Sequence, residues 1–551
     1  MKSEIKIFIL LLFCFLFHAS RLSAQDALMR AMQFEIAQAT TSLQLEGYPL
    51  PYFVSLMTTK TKIFYLGYQL GGHYYDERAE SSYASADVRV GSHELDNHPI
   101  SSHPPQPRMY IPMTSDIPSI RHALWGLLDD QYKSAAAGFF VKQAQRVEKG
   151  KAEYETDDMT IEEPHRKWDP PLSFEEDLSP IRKKLSEVSA TFQKYPEFTD
   201  TTVSLEFVKN RKEFANSEGS SLAWNQSETH ITLNAEGMSP DGMKQIVSQQ
   251  FFAQAPQNLP SLKSLQASAE QLSSRLLALI SASSTSPLTA PAILDPESAG
   301  ALFEAMGTRL EGEEQRDPQG GQTFRDKMGQ RILPNFLSLI DDPSQKSWQG
   351  TFLSGYYPFD DEGIPSQKAV LVEGGVLKSF LLSRYPLKGF FKSNGHGRSS
   401  GGMTSARLAN LFVLSSKTTS LSRLKELLRE EAVKKNKPYG LWIKHISSWR
   451  QDKETRGYQS FRGMPQEVYL IDAKTGKETL VRDLDLVGTP LVTITKVLWT
   501  GNDPEAHNRI NNGSSGNLNV AIICPSMLVA EVEMQRSEKK PERLPILPPP
   551  K

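Results

Sequence analysis

Apolar and polar positions change their spacing several times along the chain, and each change marks an element. Over 25–47 the stretch "DALMRAMQFEIAQATTSL" repeats apolar residues at helical spacing, which predicts a helix. The pattern then shortens. "KIFYLGYQL" alternates with period two, as a half-buried strand does, and Gly71-Gly72 supplies a turn. "YASADVRVG", Tyr83 to Gly91, predicts a further strand, and the His-, Pro- and Ser-rich stretch from Ser92 to Ser115 predicts a loop. Helical spacing returns in "DIPSIRHALWGLLDDQYKSAAAGFFVKQAQRVEKG", with a break expected near Asp129-Asp130.

The charged, Pro-containing stretch 151–173 reads as a linker lying over the surface. A helix at about 178–195 follows, then two strands joined by a turn at "ANSEG", Ala215–Gly219, then a long helix over 260–281. "SASSTSPLTAP" reads as a second linker. From 292 onward the pattern is a helix at about 296–310 and then many short strands with Gly-rich turns. "KAVLVEGGVLKSFLLS", "ANLFVLSS", "YGLWIKHI", "QEVYLIDAKTG", "LVTITKVLWTG" and "NVAIICPSMLVAEVEMQR" are such strands, interrupted by one helix in "SLSRLKELLREEAVKKN". The class implied is α+β. An N-terminal α/β domain covers 25–150 and a middle α/β region 174–281. A C-terminal, largely antiparallel β domain with a barrel-like character covers 292–540, and a Pro-rich tail 541–551.

Composition narrows the picture mostly by exclusion. Lys+Arg total 62 against 64 Asp+Glu in 551 residues, so the chain has no basic footprint for nucleic acid. Lys2 and Lys6 precede the apolar run "IFILLLFCFLF", Ile7 to Phe17, and "HASRLSA" ends at Ala24. That is the layout of a secretory signal peptide over 1–24, which predicts an exported, periplasmic or secreted protein, with an uncleaved anchor as the alternative. No later run is long and apolar enough to span a membrane. Cleavage would remove Cys14 and leave Cys524 as the one thiol, so no internal disulfide and no cysteine-cluster zinc site are expected. Cys524 sits in an apolar strand pattern and reads as a small buried hydrophobe.

Several stretches, in order, resemble the TldD/PmbA family: "PYFVSL", "DVRVG", "LWGLLDDQYKSA", "ANSEG", "LFEAMG", "LEG", "NGHGR" and "ARLANLFV". The most specific is "DDEGIPSQKAVLVEGGVLKSFLLSRY", Asp360 to Tyr385. The resemblance implies peptidase-like dimers that take unfolded or partly degraded peptides. In active members a helix carries His-Glu-x-x-x-His, a later cysteine adds a zinc ligand, and the glutamate is general base to a metal-bound water. Here the two histidine positions hold Phe303 and Thr308, and the glutamate is kept as Glu304. The region 450–497, where the cysteine would be expected, contains none. Zinc hydrolysis takes about three protein ligands and an open position for water. Phenylalanine cannot ligate, and without a metal a carboxylate faces water with a pKa near ~15.7. The expectation is therefore a chain with no metal and no zinc cofactor, in which Glu304 is a relic base. It would bind peptides or act as the non-catalytic partner in a homodimer or in a heterodimer with a TldD-like subunit. An ordinary amphipathic helix with Phe303 in the core fits the same residues. The alternative is an active peptidase with rearranged ligands drawn from Glu304, Glu311, Glu313, Glu314 and His396. A regulator of DNA topology, which older naming of the family would suggest, is opposed by the charge balance and the signal peptide.

Three other places hold candidate chemistry. His93, Asp96, His98 and His103 share one loop and could bind a metal, against the plainer expectation of a solvated Pro/Ser loop. "SNGHGRSSGGM", with Gly395 and His396, lacks the Gly-Lys-Ser/Thr of a phosphate loop. The resemblance puts it near a substrate cleft, where glycines admit a peptide backbone; a mobile surface loop is the alternative. Arg407 and Asn410 lie in "SARLANLFV", a strand beside that cleft by resemblance, and could hold peptide backbone or a carboxylate. They could equally be polar positions of an ordinary strand.

Overall fold

The structure is a computed structural model. It describes residues 27–99, 108–149, 156–317, 322–401, 403–446, 449–451, 461–513 and 515–542. The signal-peptide reading of 1–24 with Cys14, His103, and most of the 541–551 tail lie outside the described residues.

A helix α1 over 27–42 leads into an antiparallel hairpin of two long strands, β1 (Pro51–Gln69) and β2 (Gly72–Val90). The turn falls on Leu70 and Gly71, both at positive φ (49° and 81°), one residue earlier than Gly71-Gly72. Two consecutive left-handed residues match the right-handed twist of the paired strands. β3 (Arg108–Tyr110) adds to β2. The helix α2 (Ile117–Lys149) runs unbroken through Asp129-Asp130, where Lys133 pairs with Asp129 one turn on.

β4 (Arg166–Trp168), α3 (Ser179–Ala190), β5 (Phe198–Asn216), β6 (Ser221–Met238), β7 (Lys244–Ala253) and α4 (Leu262–Ser281) follow. The regions 25–150 and 174–281 are built into one sheet rather than two units. β1 pairs with β5 from Ser55↔Asn216 to Tyr68↔Val203, and the order is β3-β2-β1-β5-β6, with β4 and β7 both on β6. Strand alternation sets its buried face. Val54 and Leu56 of β1 pack under α1 and α2, while Phe64 and Leu66, further along the same face, pack under α3 and α4. Phe64 stacks on Phe207 with ring centroids 5.8 Å apart. The stretch read as a surface linker is built in after 156: Asp158, Met159 and Thr160 are buried, and β4 pairs in parallel with β6.

The C-terminal half is not a closed barrel. Among the described residues it is two open sheets of six and eleven strands, with two two-stranded ribbons, around one main core. Strands β8 (Leu288–Leu294), β9 (Glu505–Gly513) and β10 (Gly516–Cys524) bound the region of interest. β8 belongs to the eleven-stranded sheet, and β10 pairs with the edge strand β9 in the six-stranded one. The apolar helix α5 (Pro296–Gly307) contributes to the same core, which keeps the sheets open around it. "LVTITKVLWTG" begins as a helix, Pro490–Thr495, because Pro490 fits the first helical turn, and becomes a strand only at Val497–Gly501.

The family-like segment from Asp360 is a packing hub. Asp360 accepts backbone N–H bonds from Glu362 (3.0 Å), Ile364 (2.9 Å) and Gly397 (3.0 Å). Burial nonetheless pushes its carboxyl up to about 7. Glu362 accepts from Arg384 N at 2.6 Å, and the Arg384 guanidinium forks onto both oxygens of Glu218 (2.7 and 2.8 Å) and onto Thr160 O. Arg384 thereby fastens the C-terminal half to the β5–β6 turn. Replacing Arg384 by Met should cost about 2 kcal/mol or more, less than the ~3–5 of a fully buried broken pair because Glu218 keeps some water. A lower urea midpoint and faster amide exchange at 158–160 would be the readout; an unchanged midpoint would refute the fastening role.

Candidate functional site

α5 starts where Asp295 caps it, accepting from Ser298 N at 2.8 Å, with Pro296 in the first turn. Every residue of α5 except Glu297 is buried. Glu297 and Glu304 are seven residues apart, two turns along the same face. Phe303 is in the core at 1% exposure, as the ordinary-helix reading expects, and Thr308 Oγ1 donates back to Ala305 O at 3.1 Å.

Glu304 faces β9. Its Oε2 accepts from Arg509 Nε at 2.7 Å, and its Oε1 from Asn511 Nδ2 at 2.9 Å. Arg509 also donates to Ile446 O at 2.9 Å. β9 inverts the usual pattern here: Arg509 and Asn511 point inward while Ile510 is 57% exposed. The inversion follows from the buried carboxylate, which needs a cation and donors at that place. The network continues, for Arg407 donates to Asn511 Oδ1 (2.7 Å), Ser515 Oγ (2.7 Å) and Gly516 O (3.0 Å). Its Nε lies 3.4 Å from Glu311, whose carboxyl burial pushes well up. A Cβ on Gly513 would sit 2.5 Å from the Arg407 guanidinium carbon, so the glycine makes room for it.

Phe303, Glu304 and Thr308 therefore do not fit a zinc ion. One has no ligand atom, one is a hydroxyl bonded to its own helix, and the carboxylate is bonded to a guanidinium and an amide. The displaced ligands of the alternative reading do not assemble either. His396 is fully buried, with Nε2 3.3 Å from Asp341 Oδ1 and Nδ1 2.8 Å from Asn394 Oδ1. Glu313 accepts from Ser383 Oγ and from Ala406 N (3.0 Å), and Glu314, the next residue of the same short helix, is half-buried. Among the described residues no three His, Cys, Asp or Glu side chains form a group able to hold a metal ion.

The residues read as peptide contacts have structural work. Gly395 has φ 72°, a Cβ there would sit 2.2 Å from Pro365 O, and its carbonyl accepts from Tyr357 Oη. Arg407 is 1% exposed, and Asn410, at 0%, donates to Asp342 O and Gln345 O. None of these side chains reaches a surface, because each satisfies buried backbone or charge. In the His-rich loop, Asp96 and His98 are buried rather than solvated. Asp96 accepts from Tyr52 Oη (2.9 Å) and Arg89 (3.2 Å), and His98 Nδ1 lies 2.9 Å from Arg89, so it accepts from that guanidinium. Cys524 is buried, and burial pushes its thiol up.

A cavity of about 820 Å³ opens at the first turn of α5. Glu297, His445, Glu505 and His507 line it, facing Phe251 and Phe252 of β7. His445 is held at positive φ (59°), its N–H on Asp295 Oδ2 (3.1 Å) and its Nδ1 3.0 Å from Glu297 Oε2. Burial works against ionised Glu297, but His445, His507 and Arg509 outweigh it and hold the carboxyl down at about 2. Sequence reasoning missed these residues along with Arg509 and Asn511. The signal was the polar alternation His507, Arg509, Asn511 in "EAHNRINN", set seven-apart against Glu297 and Glu304.

The fold is of the α+β class, and its metallopeptidase relation comes from the sequence of its C-terminal half. Residues 287–536 match the PmbA/TldA metallopeptidase C-terminal domain. Over that part the chain resembles the TldD/PmbA family. It is 31% identical over 260 residues to a metalloprotease TldD homolog of Buchnera aphidicola subsp. Acyrthosiphon pisum, covering 46% of this chain and 49% of that one. It is 31% identical over 143 residues to metalloprotease PmbA of Escherichia coli O157:H7, covering 24% and 28%. The chain thus spans about half, or less, of the curated relatives it matches. TldE from Thermococcus kodakarensis shares the fold, with a TM-score of 0.62 at 13% identity over 92% of this chain and 100% of that one.

Two outcomes follow. Arg509→Met should destabilise the protein by about 3–5 kcal/mol, because buried Glu304 loses its counter-charge, and adding Glu304→Leu should return most of that loss in a double-mutant cycle. Additive losses in urea titrations would refute the pairing. The folded pKa of Glu297 lies below its unfolded value, so its contribution is full above the ordinary range near ~4.3 and fades as pH falls toward 2. Glu297→Gln should therefore flatten the stability profile between about pH 4 and 2; an unchanged slope would count against it.

Proposed function

We propose that this chain is an exported TldD/PmbA-like protein that no longer performs zinc-dependent proteolysis and instead binds unfolded or short peptides, alone or as the metal-free subunit of a peptidase dimer. The carrying observation is the ion pair of Glu304 with Arg509. A general base for a metal-bound water must reach that water, and a glutamate bonded to a guanidinium and an amide inside the core does not. Phe303 and Thr308 point the same way through their chemistry. Export is supported by the charged and apolar pattern of 1–24. The peptide and partner parts draw on the family and on the cavity at α5, whose size suits several residues of an extended chain.

The test is elemental analysis of the mature chain, purified without a histidine tag, together with cleavage of an unstructured fluorogenic peptide with and without a chelator. The expected result is no stoichiometric transition metal and no chelator-sensitive cleavage by the chain alone. Stoichiometric zinc, or cleavage that a chelator abolishes, overturns the reading.

A further inference from the structure

The N-terminal sheet has a second face, opposite its helices, and that face floors a second cavity of about 300 Å³. Val54 and Leu56 point to the helices, so alternation turns Ser55, Met57 and Thr59 of β1 to this cavity. Register sets Arg108 of β3 opposite Ser85 of β2, and Thr59 opposite both Tyr83 of β2 and Lys212 of β5. Glu362, Arg384, Ser399 and Met403 form the opposite wall. Most charges around the cavity are already paired. Arg89 holds both oxygens of Asp87 (2.7 and 2.9 Å) and also meets Asp96 and His98. Lys212 donates to Asp361, whose other oxygen accepts from Ser399 N at 2.8 Å. Arg384 is held by Glu218, but its Nε has no partner in a side chain 2% exposed. Arg108 makes no ion pair among the described residues and lies over the Tyr83 ring, 4.6 Å from its centroid. Ser55 and Thr59 are 9% and 4% exposed, and their hydroxyls bond to no described residue. Glu362 accepts from Arg384 N through Oε2, while burial and neighbouring Asp360 push its carboxyl well up, which favours an O–H on Oε1. Of the amides, Asn97 is committed to Val90 N and Val88 O, and Gln131 can turn either end to a ligand. The groups left open are therefore mostly donors: one guanidinium, a second guanidinium N–H, and hydroxyls that rotate to suit.

We infer that this cavity binds a carboxylate carried by a peptide, held by Arg108 and the Thr59 hydroxyl on either side of Tyr83. A carboxylate presents acceptors only, which complements that set, and a guanidinium fork takes it through both oxygens. An ammonium would bring further donors to a wall whose Asp87 and Asp361 are already taken. Phe53, Met57 and Met403 provide apolar surface for the residue that carries the carboxylate. The inference rests on the peptide-binding reading above and adds the group that is recognised and the place that recognises it. The carboxylate can come from the peptide's carboxyl terminus or from an acidic side chain.

The experiment uses the full mature chain at pH 7 and unstructured ten-residue peptides with a dye at the amino end, read by fluorescence anisotropy. One peptide has a free carboxyl terminus and no Asp or Glu, a second is the same but amidated, and a third is amidated with one glutamate. Amidation is expected to weaken binding by about tenfold or more, the scale of a lost charge-assisted bond. Recovery by the glutamate peptide assigns side-chain recognition; no recovery assigns the carboxyl terminus, and both uphold the inference. Arg108→Gln should weaken the free-carboxyl peptide by a similar factor, and Thr59→Val by about threefold, while the amidated peptide is unaffected. Arg108 is exposed, so its variant keeps the fold. Lys183→Gln, which removes a cation from α3 with its side chain 82% exposed, should change nothing. Equal binding of free and amidated peptides overturns the inference while peptide binding stands. So do equal losses for both peptides in either site variant, a site variant without loss, or a loss in Lys183→Gln as large as in Arg108→Gln. No binding of any peptide overturns the peptide-binding reading itself, and the inference with it.

Discussion

A carboxylate buried in an apolar core must either neutralise itself or be accompanied by a cation, and Glu304 is accompanied by Arg509. Much of the C-terminal half is arranged around that requirement. β9 turns its polar side inward and leaves Ile510 in water. Asn511 serves Glu304 with its amide nitrogen and Arg407 with its amide oxygen, so a second guanidinium is drawn in beneath the first. Arg407 then reaches Glu311 and the β9–β10 turn. The register of the edge strand β9 is set as much by these polar partners as by its pairing with β10, because a one-residue slip would bring Ile510 to the carboxylate.

The same logic explains why many polar residues of the most family-like segments are buried. Asp360, Gly395, His396, Arg407 and Asn410 are buried polar or special residues, and with half-buried Glu362 each ends on a backbone group or a polar partner. Asp360 organises a turn and the start of the 396–398 segment. His396 lies between Asp341 and Asn394. Chemically expressive side chains in such a core are there because removing one partner strands the other. That is a structural reason for the pattern and says nothing about catalysis.

How much was legible depended on whether a residue's role was local. The hairpin β1–β2, the turn after Asn216 and the helices over 179–190, 262–281 and 421–434 follow from spacing and turn residues, and the structure has them within a few positions. The α+β class followed from their order. What was not legible was long-range. Nothing local in β1 says that it lies beside β5, so two regions were read where one sheet exists. Openness of the C-terminal sheets depends on α5 filling the space between them, which no strand pattern announces. Asp96 and His98 looked solvated because their loop is rich in Pro and Ser, yet Arg89 and Lys142 from other elements draw them inside. In the site, Phe303, Glu304 and Thr308 could be judged from residue type alone. Arg509, some two hundred residues away, could not.

α5 therefore carries two carboxylates with opposite fates. Glu304 is in the middle of the core, where a guanidinium from the chain itself supplies the positive charge and closes access. Glu297, two turns toward the amino end, is held ionised at the wall of a cavity by a histidine in a strained backbone conformation. Strain of that kind costs about 1–3 kcal/mol and persists where surrounding contacts require it. Here Asp295, the cap of α5, holds the His445 backbone N–H while Glu297 holds its ring, so the start of the helix fixes both. A charge kept ionised and accessible at one end of a helix, beside a charge neutralised and sealed further along, moves the chemically available part of the structure from the metal-helix motif to its first turn.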